Sequence, residues 1–270
     1  MALSSKTKQR LKTKYGPWAL ITGASSGIGL AMATELAAAG LNTVLVARNE
    51  NRLQKIATSF RDNYQINTMI IAADLSEKAG VAEVTVHTRQ MEIGLLVAAA
   101  GFGTSGSFLK ADLATELNMN AVNIDALLSL THHFAGHFAS RKQGGIVLLS
   151  SLVGFQGTPF AANYAATKAY VQSLGEALHL ELKPHGVDVL ASAPGPVASG
   201  FSERANMEMG KTLTPQTVAV ESLSKLGRKG TVLPGFLTKF LVYSLRTLPR
   251  WGKVRVMRLV MGGMTSHQNT

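Results

Sequence analysis

The chain of 270 residues has no cysteine, which excludes disulfides and thiolate-bound zinc and fits a reducing compartment. It has no Pro/Ser-rich linker and no repeat, so one large domain is the simpler division of its length. No apolar run of signal-peptide length opens it, because Trp18 to Ile21 leads straight into a glycine-rich turn, and secretion is not expected. Acidic residues are missing from both ends. Residues 1–16 carry +5 and residues 222–270 carry +9 with no Asp or Glu, out of a net +11, so the middle is −3. Such ends suit an anionic surface such as a membrane, or are simply solvated. A nucleic-acid partner is not expected, because no recognition motif accompanies the charge.

What is present is a regular alternation. Short apolar runs at Trp18 to Ile21, Thr43 to Ala47, Thr68 to Ala72, Leu95 to Ala98, Ile146 to Leu149 and Val187 to Ser192 are separated by helix-length segments. Runs that are apolar throughout, rather than every second residue, read as parallel strands covered on both faces. A seventh strand is predicted near Thr231 to Leu233, after a helix that Thr214 would cap ahead of Pro215. The fold class is therefore α/β, a Rossmann-type doubly wound parallel sheet of six or seven strands with helices on both faces. The expected division is a basic extension over 1–16, a Rossmann-type body over 17–234, and a basic apolar extension over 235–270 packed on that body.

In such sheets ligands sit beyond the carboxyl ends of the strands. After the first run comes T-G-A-S-S-G-I-G, which contains Gly23, Ser25, Ser26, Gly27, Ile28 and Gly29 after Thr22, and then a helix-forming stretch. Glycines at these positions let the backbone approach a pyrophosphate that the helix N-terminus stabilises. The end of the second run lacks the carboxylate that would meet a ribose 2′-hydroxyl and carries Ala47 and Arg48 instead. A guanidinium suits a 2′-phosphate, so NADP(H) is expected over NAD(H), with an ordinary surface arginine as the alternative. Downstream, Tyr164 and Lys168 stand four apart on a predicted helix and share one face, with Ser151 thirteen residues before Tyr164 at a strand mouth.

Together these motifs resemble the short-chain dehydrogenase/reductase family over roughly residues 17–200. The resemblance implies that Tyr164 is the acid/base, that Lys168 lowers its pKa and holds the nicotinamide ribose, and that Ser151 donates to the substrate oxygen. It implies that Asn123 supports a water-linked proton path, and that Asp74 and Leu75 lie at the adenine, with a helix N-cap as the alternative for Asp74. Gly101 belongs to the cofactor floor. Pro194, Gly195, Val197 and Ser199, in P-G-P-V-A-S, shape the loop at the carboxamide. One departure is plain: Ala98 and Ala99 stand where relatives have an Asn pair, which removes a side-chain tie between strands and puts rigidity and cofactor affinity in question.

No metal site is expected. His133 and His137 are an i, i+4 pair without an intervening Glu or a third ligand. Phe102, Phe155, Phe160, Phe201, Met207 and Met209 border the predicted site and suggest an apolar pocket. Charges interrupt residues 235–264 too often for a transmembrane helix, leaving a surface anchor, a pocket wall or a subunit contact. The expected activity is reduction of a lipophilic ketone or aldehyde by a cytoplasmic homo-oligomer, peripheral to a membrane if the tail anchors it. The alternative is an NADP(H)-binding sensor without turnover.

Overall fold

A computed structural model describes residues 2–210 and 212–268. Among these, seven strands form one parallel sheet: β1 (Trp18–Thr22), β2 (Asn42–Ala47), β3 (Thr68–Ala72), β4 (Ile93–Ala98), β5 (Gly144–Leu149), β6 (Val187–Ser192) and β7 (Thr231–Val232), in the order β3-β2-β1-β4-β5-β6-β7. The helices are α1 (Ser5–Tyr15), α2 (Gly27–Ala37), α3 (Glu50–Tyr64), α4 (Lys78–Thr88), α5 (Leu113–Asn120), α6 (Leu127–Ser140), α7 (Ala162–Glu181), α8 (Phe201–Arg204), α9 (Pro215–Lys225), α10 (Phe236–Arg246) and α11 (Arg250–Met264).

The apolar runs are explained by the two layers they serve. On β1, Ala19 and Ile21 join one core with Leu36, Leu45, Leu95 and Val147, while Leu20 joins the opposite core with Val44, Leu96, Ile146 and Phe138. Adjacent residues on a strand point to opposite faces, so a strand covered by helices on both sides is apolar along most of its length. The order in which successive strands are added reverses between β1 and β4, which are neighbours in the sheet. That is the switch point, and its carboxyl-end crevice holds the site. α9 starts as its sequence predicts, with Thr214 Oγ1 accepting from Thr217 N at 3.1 Å and Pro215 in the first turn.

The basic N-terminal segment is part of this body. Leu11 and Tyr15 of α1 are fully buried. Arg10 donates to the carbonyls of Leu223 (3.1 Å), Ser224 (3.2 Å) and Leu226, at the C-terminal end of α9, where unpaired carbonyls collect. Tyr15 donates to Asp188 at 2.6 Å, and Lys14 pairs with the same carboxylate. Burial, then the contact with Asp188, pushes the Tyr15 phenol well above its ordinary range.

The C-terminal segment crosses the carboxyl edge of the sheet. Thr238 of α10 is buried and accepts a hydrogen bond from Gly195 N at 3.1 Å, which ties α10 to the loop after β6. Met257 and Met261 of α11 pack with Phe102, Tyr164 and Leu245. Among the described residues no helix is long and apolar enough to cross a membrane.

Candidate active site

The turn between β1 and α2 is built from glycines that no other residue could replace without displacement. Gly23 has φ +67° and Gly27 φ +55°, in the left-handed region. A Cβ on Gly29 would lie 2.3 Å from Gly23 O, and one on Gly23 would lie 2.9 Å from the backbone of Ala100. Ser26, at the N-cap of α2, makes no side-chain capping bond, so the first amides of the helix face the cleft without a protein acceptor from that side chain. This turn is a cradle for an anionic group, and it fits a dinucleotide pyrophosphate.

Thr22 is placed differently from the cofactor contact expected of it. Its side chain is buried, and its hydroxyl accepts from Ala99 N at 3.1 Å and Ala100 N at 3.0 Å. The β1 hydroxyl thus fastens the chain as it leaves β4, where Ala98 lacks an amide to do so. Ala98 itself stays in register between Thr22 and Leu148.

Arg48 leaves the end of β2 into the cleft, and its Nη1 lies 4.0 Å from Asp74 Oδ2. Asp74 is not the N-cap of α4, which is Glu77. Its Oδ1 accepts from Ser76 N at 2.9 Å and Ser76 Oγ at 2.8 Å, and these bonds, followed by the charges of Arg48 and Arg204, hold its carboxyl below the usual range.

Across the switch point, Ser151, Tyr164 and Lys168 converge, all buried. Tyr164 and Lys168 project from one face of α7, with the Lys168 Nζ 5.8 Å from the centre of the Tyr164 ring. Lys168 Nζ donates to Leu149 O at 2.9 Å, and its carbonyl accepts from Ser150 Oγ at 2.9 Å, so strand end and helix are locked together. Ser151 faces the Tyr164 phenol and favours its ionised form. Burial pushes the phenol up to about 12 against the opposing pull of Ser151, and burial alone brings Lys168 down to about 8. Burial is the larger influence on both groups in the cofactor-free protein.

Asn123 is drawn close without entering the cleft. It sits on a π-helical turn, Ala121–Ala126, between α5 and α6. Its Oδ1 accepts from Phe102 N at 3.1 Å, and its Nδ2 donates to Phe102 O at 2.9 Å and Thr167 Oγ1 at 3.1 Å. Thr167 in turn donates to Tyr164 O at 2.8 Å. With its amide spent on protein partners, Asn123 positions the loop after β4 against α7. Gly101 permits this, since a Cβ there would lie 2.8 Å from Asn123 Oδ1.

All of this opens on one cavity of about 950 Å³. Gly23, Ser25, Ser26, Gly27, Ile28, Gly29, Arg48, Asp74, Leu75, Gly101, Ser151, Tyr164, Lys168, Pro194, Gly195, Val197 and Ser199 line it, while Thr22 and Asn123 do not. Of the apolar residues expected at the site, Phe102, Phe201, Met207 and Met209 line it; Phe155 and Phe160 pack beside it. The sequence motifs did not reveal Arg204 or the wall made by Leu241, Leu245, Val256, Met257, Val260 and Met261. The apolar composition of 235–264 was the one available signal for that wall.

Comparison with known proteins agrees with this construction. The chain is 31% identical over 232 residues to a 7beta-hydroxysteroid dehydrogenase of Clostridium sardiniense, covering 84% of this chain and 89% of that one. It is 37% identical over 193 residues to a very-long-chain 3-oxoacyl-CoA reductase-like protein of Arabidopsis thaliana, covering 70% of this chain and 62% of the other. A short-chain dehydrogenase from Sphingobium yanoikuyae, solved in complex with NADPH, superposes with TM-score 0.78 at 30% identity, covering 86% of this chain and 94% of that one. The short chain dehydrogenase family profile matches residues 17–210, and the chain belongs to that family.

Proposed function

We propose that the chain is an NADP(H)-dependent oxidoreductase that reduces a lipophilic ketone or aldehyde, with Tyr164 as its acid/base. The observation that carries this reading is the meeting of Ser151, Tyr164 and Lys168 in the same cavity as the glycine cradle and Arg48, opposite an apolar wall. When bound, the nicotinamide cofactor supplies the hydride for the carbonyl carbon or takes it back from the alcohol. The protein's own work is on the oxygen. Ser151 donates to it, and Tyr164 Oη delivers the proton as negative charge develops. A phenol held near 12 is fully protonated at neutral pH, the form that reduction needs. Lys168, near 8, exchanges a proton within the physiological range and holds the ribose side of the site.

The cofactor assignment is supported by the missing carboxylate after β2, by Arg48, and by the NADPH complex of the Sphingobium relative. The substrate class is supported by the Leu, Val and Met wall and by the steroid and acyl substrates in the relatives' names. A screen of NADPH oxidation across steroid, long-chain 3-oxoacyl and bulky aryl ketones tests it. Turnover of at least one class is expected, and NADPH binding with no turnover on any would replace the enzyme reading by the sensor.

The same reading includes a cytoplasmic setting, a homo-oligomer and peripheral contact with an anionic membrane. Exposed Leu113, Leu117 and Leu128 on α5 and α6 offer a face that a second copy would cover. Phe236, Phe240, Trp251 and Leu259 are exposed on α10 and α11, among Arg246, Arg250, Arg255 and Arg258 with no acid in either helix. Each cation near such a surface contributes about 1 kcal/mol. Salt-sensitive co-sedimentation with anionic but not neutral vesicles is the expected result, and equal recovery in the supernatant with both would refute the contact.

A further inference from the structure

The cleft holds a second arginine that no motif marks. Arg204 ends α8, a single turn of four residues in the segment that follows β6. Its guanidinium lies 3.8 Å from the centre of the Phe102 ring and lines the cavity together with Arg48 and Asp74. Among the described residues it has no carboxylate within ion-pair distance. The segment is fastened in this position from behind, where Ser105 Oγ donates to Ala205 O at 2.6 Å and to Asn206 O at 3.1 Å.

The charges around this point do not balance. Asp74 feels both Arg48 and Arg204, and Arg204 is disfavoured as a cation first by burial and then by Arg48. Two guanidinium groups thus share one carboxylate, and one oxygen of that carboxylate is already committed to Ser76. A phosphate monoester, carrying about −1.5 to −2 at neutral pH, would neutralise the excess and accept planar paired hydrogen bonds from both. The place matters as well as the charge. Arg48 and Asp74 follow β2 and β3, away from the glycine turn that suits the pyrophosphate.

We propose that Arg204 and Arg48 form a two-sided clamp on the 2′-phosphate of NADP(H), with α8 supplying the upper jaw. This rests on the NADP(H) reading and adds to it a specificity-determining residue from outside the dinucleotide motifs.

The test is calorimetric binding of NADPH, NADH, 2′,5′-ADP and 5′-AMP to the full chain and to the variants Arg204→Gln and Arg204→Lys, each checked for an unchanged melting temperature. Arg204→Gln is expected to weaken NADPH and 2′,5′-ADP about tenfold, the effect of losing one charge-assisted bond, and to leave NADH and 5′-AMP within about twofold. Arg204→Lys keeps the charge without the planar fork and should retain part of the affinity. Equal weakening of all four ligands by Arg204→Gln, or of none, would overturn the clamp while the wild-type preference for NADPH stands. A wild type that binds NADH as tightly as NADPH would overturn the cofactor reading itself, and the clamp with it.

Discussion

The two walls of the cleft are made in opposite ways. The lower wall consists of strand ends and the turns after them, where Gly23, Gly29 and Gly101 approach other backbone or side chains too closely for a Cβ and Lys168 is bonded to the strand it faces. The upper wall consists of α8, α10 and α11, whose contributions are Phe201, Ser244, a set of Leu, Val and Met side chains, and Arg204, which has no ion-pair partner among the described residues. A wall fixed by backbone geometry admits few residue types, whereas a wall of flexible apolar side chains accepts many. The lower wall therefore suits an invariant cofactor and reacting group, and the upper one suits substrate choice.

The largest effect should come from the lower wall. Tyr164→Phe removes the transferable proton and keeps the ring, so turnover should fall by about 100-fold to 10,000-fold while NADPH still binds. Steady-state rates beside cofactor fluorescence titration would show this, and comparable turnover in the variant would remove Tyr164 from its role. A smaller effect is expected above. Val260 lines the cavity from α11 yet is 44% exposed, so Val260→Asp should cost little stability. It should raise KM for apolar ketones about tenfold, as one desolvated charge facing an apolar ligand would, and leave NADPH affinity within about twofold. A matching loss of NADPH affinity would show that the two walls are not functionally separate.

The smallest effect concerns pH. Lys168 in the free protein is brought down to about 8 by burial, so it is charged below that pH and neutral above it. Affinity for the anionic cofactor should accordingly decline as pH rises through about 8, and Lys168→Met should flatten the profile. A wild-type profile flat from pH 7 to 9 would contradict this.

The same contrast explains what could be read from the chain. Strand positions, the capping of α9 by Thr214 and most of the cleft lining were legible, because parallel strands and glycine turns constrain residue type locally. The ties made by Thr22 and Asn123 were not legible, for a shared reason. Both hold backbone groups that lie far from them in sequence, Thr22 at Ala99 and Ala100 and Asn123 at Phe102, and no local pattern shows such a partner. The two basic ends looked alike in composition. Yet Arg10 and Lys14 are used inside the fold, at the end of α9 and at Asp188, whereas α10 and α11 leave large apolar side chains exposed between their cations. Net charge does not separate these cases, but the partners do.

The central claim is that this cavity passes hydride to a carbonyl carbon under control of Tyr164. The most direct measurement is isotope tracing with NADPH deuterated at the reactive C4 position and a bulky lipophilic ketone, with the alcohol product analysed by mass spectrometry and NMR. The account predicts one deuterium on the carbinol carbon with wild-type protein, and almost no labelled product in the same time with Tyr164→Phe. Tight NADPH binding with no labelled alcohol from any ketone class would contradict it.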